Sequence, residues 1–426
     1  MKKFLALLLS LVMVLALVAC GDKKDDTNTD DQDNNEVTDF KVGFIMLHDE
    51  NSTYDLNFIN AAKKAIKNLG LTDADYILKT NIPEGQECYD TACDLAENGC
   101  NIIFADSFGH EPFMIDAAKK YPNVQFCHST GTRAHTEKDL PNYHNAFASI
   151  YEGRYLAGIA AGMKLNEMID AGQFTKDQAK IGYVGAFTYA EVISGYTSFF
   201  LGARSVCPTA TMEVTFTGSW YDEALEKEGA QQLIANGCKL ISQHADSFGA
   251  PTACENAKVP NVSYNGSTKD AGPNTYIISS RIDWAPYYEY AIKAVMEGKT
   301  IDTDWTGTLA TGSVVLEEIN DAVAAKGTAE AIEAAKAKLE KGELHVFDVS
   351  TFTTRADDKM NPFKVDTLKV DGDGHITSYM ADVDTDANYT GDTEAIKEGY
   401  FAESSARSAP YFDLQIDGIT LLNTKM

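Results

Sequence analysis

The chain has 426 residues, and its 63 acidic against 36 basic side chains give a formal net charge of −27. A surface this acidic repels nucleic acids and anionic membranes, so no nucleic acid is expected as a partner. The length exceeds what one hydrophobic core supports and favours two lobes.

The amino-terminal segment predicts export. Lys2 and Lys3 precede an apolar stretch that ends at residue 19, is short for a membrane span and resembles a secretory signal peptide. Cys20 follows small residues as in a bacterial lipobox, where this cysteine is lipidated. Residues 20–39 are polar and acidic, as in a disordered tether. We therefore expect a lipid on Cys20 to hold the protein at the extracytoplasmic face of the cell membrane.

From Lys41 onward, strands alternate with helices through short loops, which is typical of a mostly parallel sheet. The first cycle predicts strands at 41–47, 76–79, 102–105 and 124–127, with helices at 53–69, 86–97 and 112–120. Small residues at helical spacing in 151–162 then predict a helix that approaches another backbone closely.

The second cycle predicts strands at 180–184, 211–216, 240–243 and 261–264, with helices at 192–206, 222–236 and 251–257. A strand at 275–280 and a helix at 284–297 are expected to return the chain to the first lobe. A surface helix is predicted at 317–339. Short β segments follow, with a hairpin turn signal at residues 371–374.

The cysteines give no sign of a metal or redox site. Besides Cys20 there are seven, and no CxxC spacing occurs among them. The sequence leaves open whether Cys88 pairs with Cys93. We predict no metal and no cofactor.

One phrase occurs twice in the chain. Ala-Asp-Ser-Phe-Gly stands at 105–109 and again at 245–249, each time after Asn-Gly-Cys and an apolar run. The carboxyl ends of parallel strands are where open α/β sheets bind ligands. The repeat therefore predicts two similar lobes whose binding edges face each other.

Aromatic and acidic side chains follow several predicted strands. Aromatic faces stack on flat rings, and carboxylates accept hydrogen bonds from ring N–H and hydroxyl groups, so this mixture fits an uncharged polar heterocycle or a sugar. Packing between the lobes is the alternative role for any single residue. The strand-end candidates for ligand binding are Asp49, Tyr54, Asp55, Asp106, Ser107, Phe108, Phe187, Trp220, Asp246 and Trp284.

Catalytic motifs are missing from the sequence. It contains no complete phosphate-binding loop, no GxSxG nucleophile motif and no HExxH motif. The strand ends also carry no cluster of Arg or Lys that would favour a phosphate. We therefore predict a binding protein and not an enzyme.

Several segments in this order resemble one family. Besides the lipobox and tether, they are residues 41–45, 99–109, 120–126, 181–187, 200–208 and 217–222. From about Lys41 to Asn320 the chain resembles the basic membrane lipoprotein family, the solute-binding lipoproteins of ABC importers of the purine nucleoside-binding type.

The resemblance implies an α/β fold, the type I periplasmic-binding-protein clamshell, with two doubly wound, mostly parallel lobes joined by a hinge. It places chain crossings near 145–150, 274–279 and after Gly307. The expected domains are a signal peptide (1–19), a tether (20–39), a first lobe (40–147 with 277–318), a second lobe (148–276 with about 319–350) and a β-rich carboxyl-terminal extension (351–426).

In characterised relatives, an aromatic residue after the first strand stacks on a purine base, and Tyr54 stands at that position here. The positions that usually hold the ribose read Asn265 or Ser267, and Asp283, where an acidic residue and a Lys are usual. The resemblance thus adds Asn265 and Asp283 to the candidates and leaves purine nucleoside and free purine base both open.

The implied partners are an ABC permease and its ATPase, reached by a monomeric lipoprotein. Two alternatives remain at this point. One is a sensing lipoprotein of the same fold that acts on a membrane receptor. The other is a binder of a different heterocycle or a sugar.

Overall fold

The computed structural model describes residues 40–354, 367–381, 383 and 393–425. The predicted signal peptide, the tether and Cys20 lie outside these residues, as does part of the carboxyl-terminal extension. Within the described ranges, no helix has the length and hydropathy needed to cross a bilayer.

Strands and helices alternate through most of the described chain. The strands are β1 Lys41–Ile45, β2 Tyr76–Lys79, β3 Cys100–Ala105, β4 Gln125–Ser129, β5 Tyr143–Ala148, β6 Lys180–Gly185, β7 Thr211–Phe216, β8 Leu240–His244, β9 Asn261–Tyr264, β10 Tyr276–Ile282, β11 Asp304–Gly307, β12 Val314–Leu316, β13 Lys369–Val370, β14 Ile376–Ser378, β15 Met380–Ala381, β16 Thr393–Glu394, β17 Ile396–Lys397, β18 Tyr400–Phe401 and β19 Ile419–Leu421. The helices are α1 Thr53–Asn68, α2 Gln86–Glu97, α3 Glu111–Lys120, α4 Ile150–Asp170, α5 Ala190–Val206, α6 Glu223–Ala235, α7 Gly249–Ala257, α8 Ala285–Met296 and α9 Thr328–Glu340.

The first lobe is built on a parallel sheet in the order β11-β5-β4-β3-β1-β2. Its strands are short apolar runs because helices cover both faces of the sheet. Helix α1 shows how the sequence sets such a layer. Ser52 caps its first turn by accepting a hydrogen bond from the Asp55 backbone, and its apolar stripe buries Phe58 and Ile59.

The second lobe has a larger sheet in the order β12-β10-β9-β8-β6-β7-β19. All its neighbours are parallel except β10 and β12. Helices α4 and α5 cross at glycines. A Cβ on Gly158 would lie 2.0 Å from the Phe199 carbonyl oxygen, and one on Gly202 would lie 2.0 Å from that of Tyr155. The predicted close approach of residues 151–162 to another backbone is therefore confirmed.

The chain passes between the lobes at three neighbouring points. These are the β5–α4 junction at Ser149, the β10–α8 junction at Asp283, and the β11–β12 loop at 308–313. The Ser149 N–H donates to the Gly307 carbonyl at 2.8 Å, and the Asp283 N–H donates to that of Ser313 at 2.8 Å. These hydrogen bonds hold the crossings together as a hinge.

The placement of residues 277–318 wholly in the first lobe is wrong for two strands. β10 and β12 belong to the second sheet, whereas α8 packs on α1 and β11 joins the first sheet. The return crossing accordingly lies at 283–284 and not at 274–279. This error arose because the sequence of an apolar strand does not indicate which of two sheets the strand will join.

The helix predicted at 317–339 begins only at Thr328. Glu317 donates its backbone N–H to Ser279, and Asn320 donates to Ile277, so this stretch continues along β10. The hairpin expected at residues 371–374 is confirmed, since β13 pairs antiparallel with β14. Cys88 and Cys93, whose pairing was open, are both buried free thiols.

Candidate functional site

The carboxyl ends of strands from both sheets meet at a cleft between the lobes. Its empty volume is about 360 Å³, including space open to solvent. Tyr54 and Phe108 stand on the first-lobe side, and Trp220 and Asp246 on the second. We call this space the cleft. It is lined by Leu47, His48, Tyr54, Asp55, Ser107, Phe108, Thr130, Glu191, Trp220, His244, Asp246 and Asn265.

An aromatic series crosses the cleft from one lobe to the other. Phe108 of the first lobe stacks on Tyr189 of the second, with ring centroids 5.2 Å apart and planes at 30°. Tyr189 stacks on Phe187 with ring centroids 5.1 Å apart, and Phe187 and Trp220 form a T-shaped pair with centroids also 5.1 Å apart. We call Phe187, Tyr189 and Trp220 the aromatic wall. Since Phe108 and Trp220 line the cleft, flat apolar surface is available to a ligand from both lobes.

Asp55 is a buried acid whose oxygens are well supplied with donors. It accepts the His48 backbone N–H at 2.7 Å and the Ser52 hydroxyl at 2.6 Å, and the His48 ring lies 3.3 Å away. Burial alone would raise the pKa of Asp55, but the hydrogen bonds from His48 and Ser52 outweigh it and lower that pKa. A fixed negative charge thus stands at this side of the cleft.

Asp106 lies beneath the cleft and is hydrogen-bonded to Tyr54. Asp106 is fully buried and accepts the Leu47 backbone N–H at 3.0 Å. Burial, and then the charge of Asp55, raise the pKa of Asp106 well above its ordinary value. The Tyr54 hydroxyl donates to the Asp106 carbonyl at 2.7 Å, which fixes the ring at the cleft. Asp106 therefore supports the site without lining it.

Asp246 faces Asp55 from the second lobe. Its side chain accepts from the Asn265 amide at 3.0 Å, and burial raises its pKa well above the ordinary value. Its backbone carbonyl accepts both the N–H and the hydroxyl of Thr53, each at 3.1 Å, across the cleft. Asn57 likewise donates to the Asn265 carbonyl at 2.5 Å. The lobes are therefore in direct contact around the site.

Most of the predicted site residues come together here. Tyr54, Asp55, Ser107, Phe108, Trp220, Asp246 and Asn265 line the cleft, Asp106 lies beneath it, and Phe187 lies behind Trp220 in the aromatic wall. The resemblance also placed a base-stacking ring at Tyr54, which lines the cleft.

Three predicted residues lie elsewhere. Asp49 stays on the loop after β1 and holds the Asn51 side chain at 2.8 Å. Trp284 is buried in the first-lobe core, stacked on Phe58 at 4.4 Å, so it was wrongly expected in the crevice. Asp283 pairs with Lys64 at 2.8 Å in a separate hollow.

That hollow adjoins the cleft. Its empty volume is about 850 Å³, including space open to solvent, and Asn265, Ser267 and Asp283 are among its lining residues. Asn265 lines both spaces. It adopts a left-handed backbone conformation with φ of 63°, and its N–H donates to the Ser280 carbonyl at 2.9 Å. The positions that the resemblance assigned to a sugar therefore lie at the border of the cleft and beyond it.

Five residues of the lining were not among the predicted contacts: Leu47, His48, Thr130, Glu191 and His244. The two histidines carried a usable signal, because each stands at or just after the end of a strand. His244 is fully buried with its ring 3.5 Å from Glu191, and burial lowers its pKa. Glu191 is the second residue of α5, and only the fold shows that the helix starts at the cleft.

The sequence also matches a known protein family. A family model described as Bmp, ABC transporter substrate-binding protein PnrA-like, matches residues 43–346. The chain belongs to the Bmp family. Members are substrate-binding proteins of ABC transporters, which bind small solutes outside the cytoplasm. The predicted family is thereby confirmed.

Two relatives have nearly the same sequence identity to this Bmp protein. A putative ABC transporter glucose-binding protein of Haloferax volcanii is 32% identical over 263 residues, which are 62% of this chain and 63% of the relative. A purine-binding protein of Brucella abortus is 31% identical over 261 residues, which are 61% of this chain and 69% of the relative. The chain thus matches slightly less than two thirds of the length of the first.

The fold is shared with solved structures. An ABC transporter solute-binding protein from Aeropyrum pernix superposes with a TM-score of 0.61 over 75% of this chain and 95% of its own, at 18% identity. Together with the two sheets and the hinge, this confirms the type I periplasmic-binding clamshell predicted from the sequence.

Proposed function

We propose that this protein binds a purine base or purine nucleoside between its lobes and delivers it to an ABC permease. The observation that carries the proposal is the pairing of aromatic faces with buried carboxyl groups in one cleft. Phe108 and Trp220 supply the faces, and Asp55, Asp246 and Glu191 supply the acceptors.

The chemistry of the lining favours a flat ligand that donates hydrogen bonds. Ring N–H and exocyclic amino groups of a purine would donate to Asp55 or Asp246, while its faces would contact Phe108 and Trp220. Among the described residues that line the cleft, none is Lys or Arg. A phosphorylated ligand would lack the cationic partner that phosphate normally requires.

The base would occupy the cleft itself. A ribose would extend past Asn265 toward the hollow, where the only described acid–base pairs are Lys64 with Asp283 and Arg281 with Glu317. Because Asn265 is already engaged with Asp246 and Asn57, the sugar gains few new partners at this border. We therefore expect the free base to bind at least as tightly as its nucleoside.

A sugar is the second candidate, because carboxylates and an aromatic face also suit pyranose rings. The glucose-binding description of the Haloferax relative gives this candidate its support. The two ligand classes are separated by a direct titration.

Isothermal titration of residues 40–426 with adenine, guanine, hypoxanthine, guanosine, inosine and glucose tests the proposal. We expect heat and a thermal shift with at least one purine base and none with glucose. No response to any of the five purines would overturn the purine assignment, and a response to glucose alone would replace it.

The proposal also includes membrane attachment through Cys20, a monomeric state, and a permease with its ATPase as partners. The alternative partner is a membrane receptor that reads the ligand state. Deleting the gene distinguishes them, because an importer component is required for uptake of labelled purine, whereas a sensor is not. Unchanged uptake in a strain without other purine carriers would contradict the transport role.

A further inference from the structure

Residues 418–425 lie against the back of the aromatic wall and fall outside the segment matched by the family model. β19 adds a parallel edge strand to β7, with Ile419 opposite Met212 and Leu421 opposite Val214. The segment then continues past the end of β7 toward the loops that carry the wall. Its contacts there involve these loops as well as the edge of the sheet.

Asn423 takes the place of one more strand residue through its side chain. Its Oδ1 accepts the Phe216 N–H at 2.7 Å, and its Nδ2 donates to the Phe216 carbonyl at 2.9 Å. Phe216 is the last residue of β7, and Trp220 follows four positions later. The Asn423 amide therefore fixes the root of the loop that carries Trp220.

Lys425 holds the other loop through its backbone. Its N–H donates to the Thr188 hydroxyl at 2.8 Å, and its carbonyl accepts the Thr188 N–H at 2.7 Å. Thr188 is fully buried and stands between Phe187 and Tyr189. The Lys425 side chain also passes over Gly218, where an added Cβ would lie 3.3 Å from Cδ.

The two loops are joined directly as well, since the Gly218 N–H donates to the Ala186 carbonyl at 2.8 Å. Residues 186–189 and 217–222 thus form one unit that carries all three rings of the aromatic wall. Behind this unit lie Asn423 and Lys425, and in front of it lies Phe108 of the opposite lobe.

We propose that Asn423 and Lys425 are positioning residues that brace the aromatic wall for ligand binding. The binding part of this inference rests on the proposed function. The brace satisfies loop backbone groups before a ligand arrives, so less ordering remains to be done on binding. If the segment served only to cover the β7 edge, the three strand pairs of β19 would suffice, and the contacts beyond Leu421 would have no effect on the cleft.

Two variants test the brace. Asn423→Ala removes both hydrogen bonds to Phe216, and Lys425→Pro removes the N–H that Thr188 accepts. Thr424→Ala, at an exposed position between them, is the matched control. Each is studied by amide hydrogen exchange without ligand and by titration with the purine base that binds the unaltered protein best.

We expect exchange of the amides in 186–189 and 217–222 to become about tenfold faster in both variants, and Kd to rise about tenfold, largely through faster dissociation. Thr424→Ala should match the unaltered protein. Unfolding midpoints without ligand should stay within about 2 °C, which separates positioning from loss of fold.

Unchanged exchange in both variants would overturn the brace, and so would unchanged affinity alongside faster exchange. If the unaltered protein binds none of the purines, the proposed function fails, and the exchange measurement alone decides whether this segment orders the aromatic wall.

Discussion

Asp246 contacts both the opposite lobe and the cleft. Its backbone carbonyl accepts a hydrogen bond from Thr53, and its side chain faces the cleft. Asp246→Asn keeps the shape but offers one acceptor less to a ligand N–H. Because a buried ligand N–H left without its acceptor costs about 1–3 kcal/mol, we expect purine affinity to fall by roughly 10- to 100-fold in calorimetry.

Asp49→Asn is the matched control for this change. Asp49 is an acid that the sequence also favoured as a contact, yet the structure places it on a loop beside Asn51. Its replacement should leave the affinity unchanged. An equal loss in both variants would mean that net charge, and not the cleft geometry, governs binding.

Two tryptophans that look alike in the sequence should respond in opposite ways. Trp220→Ala removes a face of the cleft and should weaken purine binding about tenfold with little loss of stability. Trp284→Ala empties a fully buried core position and should lower the free energy of unfolding by about 3–5 kcal/mol. Urea unfolding and calorimetry on both variants check this, and weaker binding without loss of stability in Trp284→Ala would contradict it.

Most residues of the site could be predicted from their residue type and from their position at the end of a strand. These two properties placed Tyr54, Asp55 and the paired Asp-Ser-Phe turns correctly at facing edges. They did not reveal side-chain direction. Trp284 follows a strand as Trp220 does, but it directly precedes α8 and its ring stacks on Phe58. Direction depends on which sheet each strand joins, and that is decided by contacts far away in sequence.

At the scale of elements, the α4–α5 crossing is the contact most sensitive to a single methyl group. A Cβ on Gly158 would lie 2.0 Å from the Phe199 carbonyl oxygen, and backbone yields less readily than a flexible side chain. Gly158→Ala should therefore destabilise the protein by about 1–3 kcal/mol or more. Gly372→Ala is the control, because a Cβ added at Gly372 would have no atom within 4 Å beyond its chain neighbours. Equal unfolding midpoints for the two variants would show that the helices separate at no cost.

Elements with strong periodicity were predicted almost to the residue. Tyr76–Lys79, Thr211–Phe216 and Asn261–Tyr264 have the expected bounds, because short loops and apolar runs mark both ends of each strand. Residues 317–327 misled the helix prediction because their composition suits a helix. The backbone N–H groups of Glu317 and Asn320 instead donate to β10, and such a tertiary partner overrides local propensity.

Stability of the whole molecule should depend on pH through a buried acid in the extension. Burial raises the pKa of Glu403 from 4.5 to about 7, although the Ser194 hydroxyl and the Tyr411 and Phe412 N–H groups bond to it. A raised folded-state pKa contributes stability that is fully present below the unfolded value and is lost as the pH rises through about 7.

Glu403→Gln removes this titration. The free energy of unfolding should therefore fall less between pH 5 and pH 8 in the variant than in the unaltered protein, by roughly 1–3 kcal/mol. Glu343→Gln, at an exposed position, should behave like the unaltered protein. Urea titrations at the two pH values check this, and parallel losses in all three proteins would contradict it.

The two lobes touch around the cleft through Thr53, Asn57 and Phe108, so a ligand that bridges them would add to contacts that already favour closure. The most direct measurement is a crystal structure of the protein purified from its own cells without added ligand. We predict planar density for a purine ring between Phe108 and Trp220, with a ring nitrogen within hydrogen-bond distance of Asp55 or Asp246. Density for a sugar there, or a purine bound outside the cleft, would contradict the account.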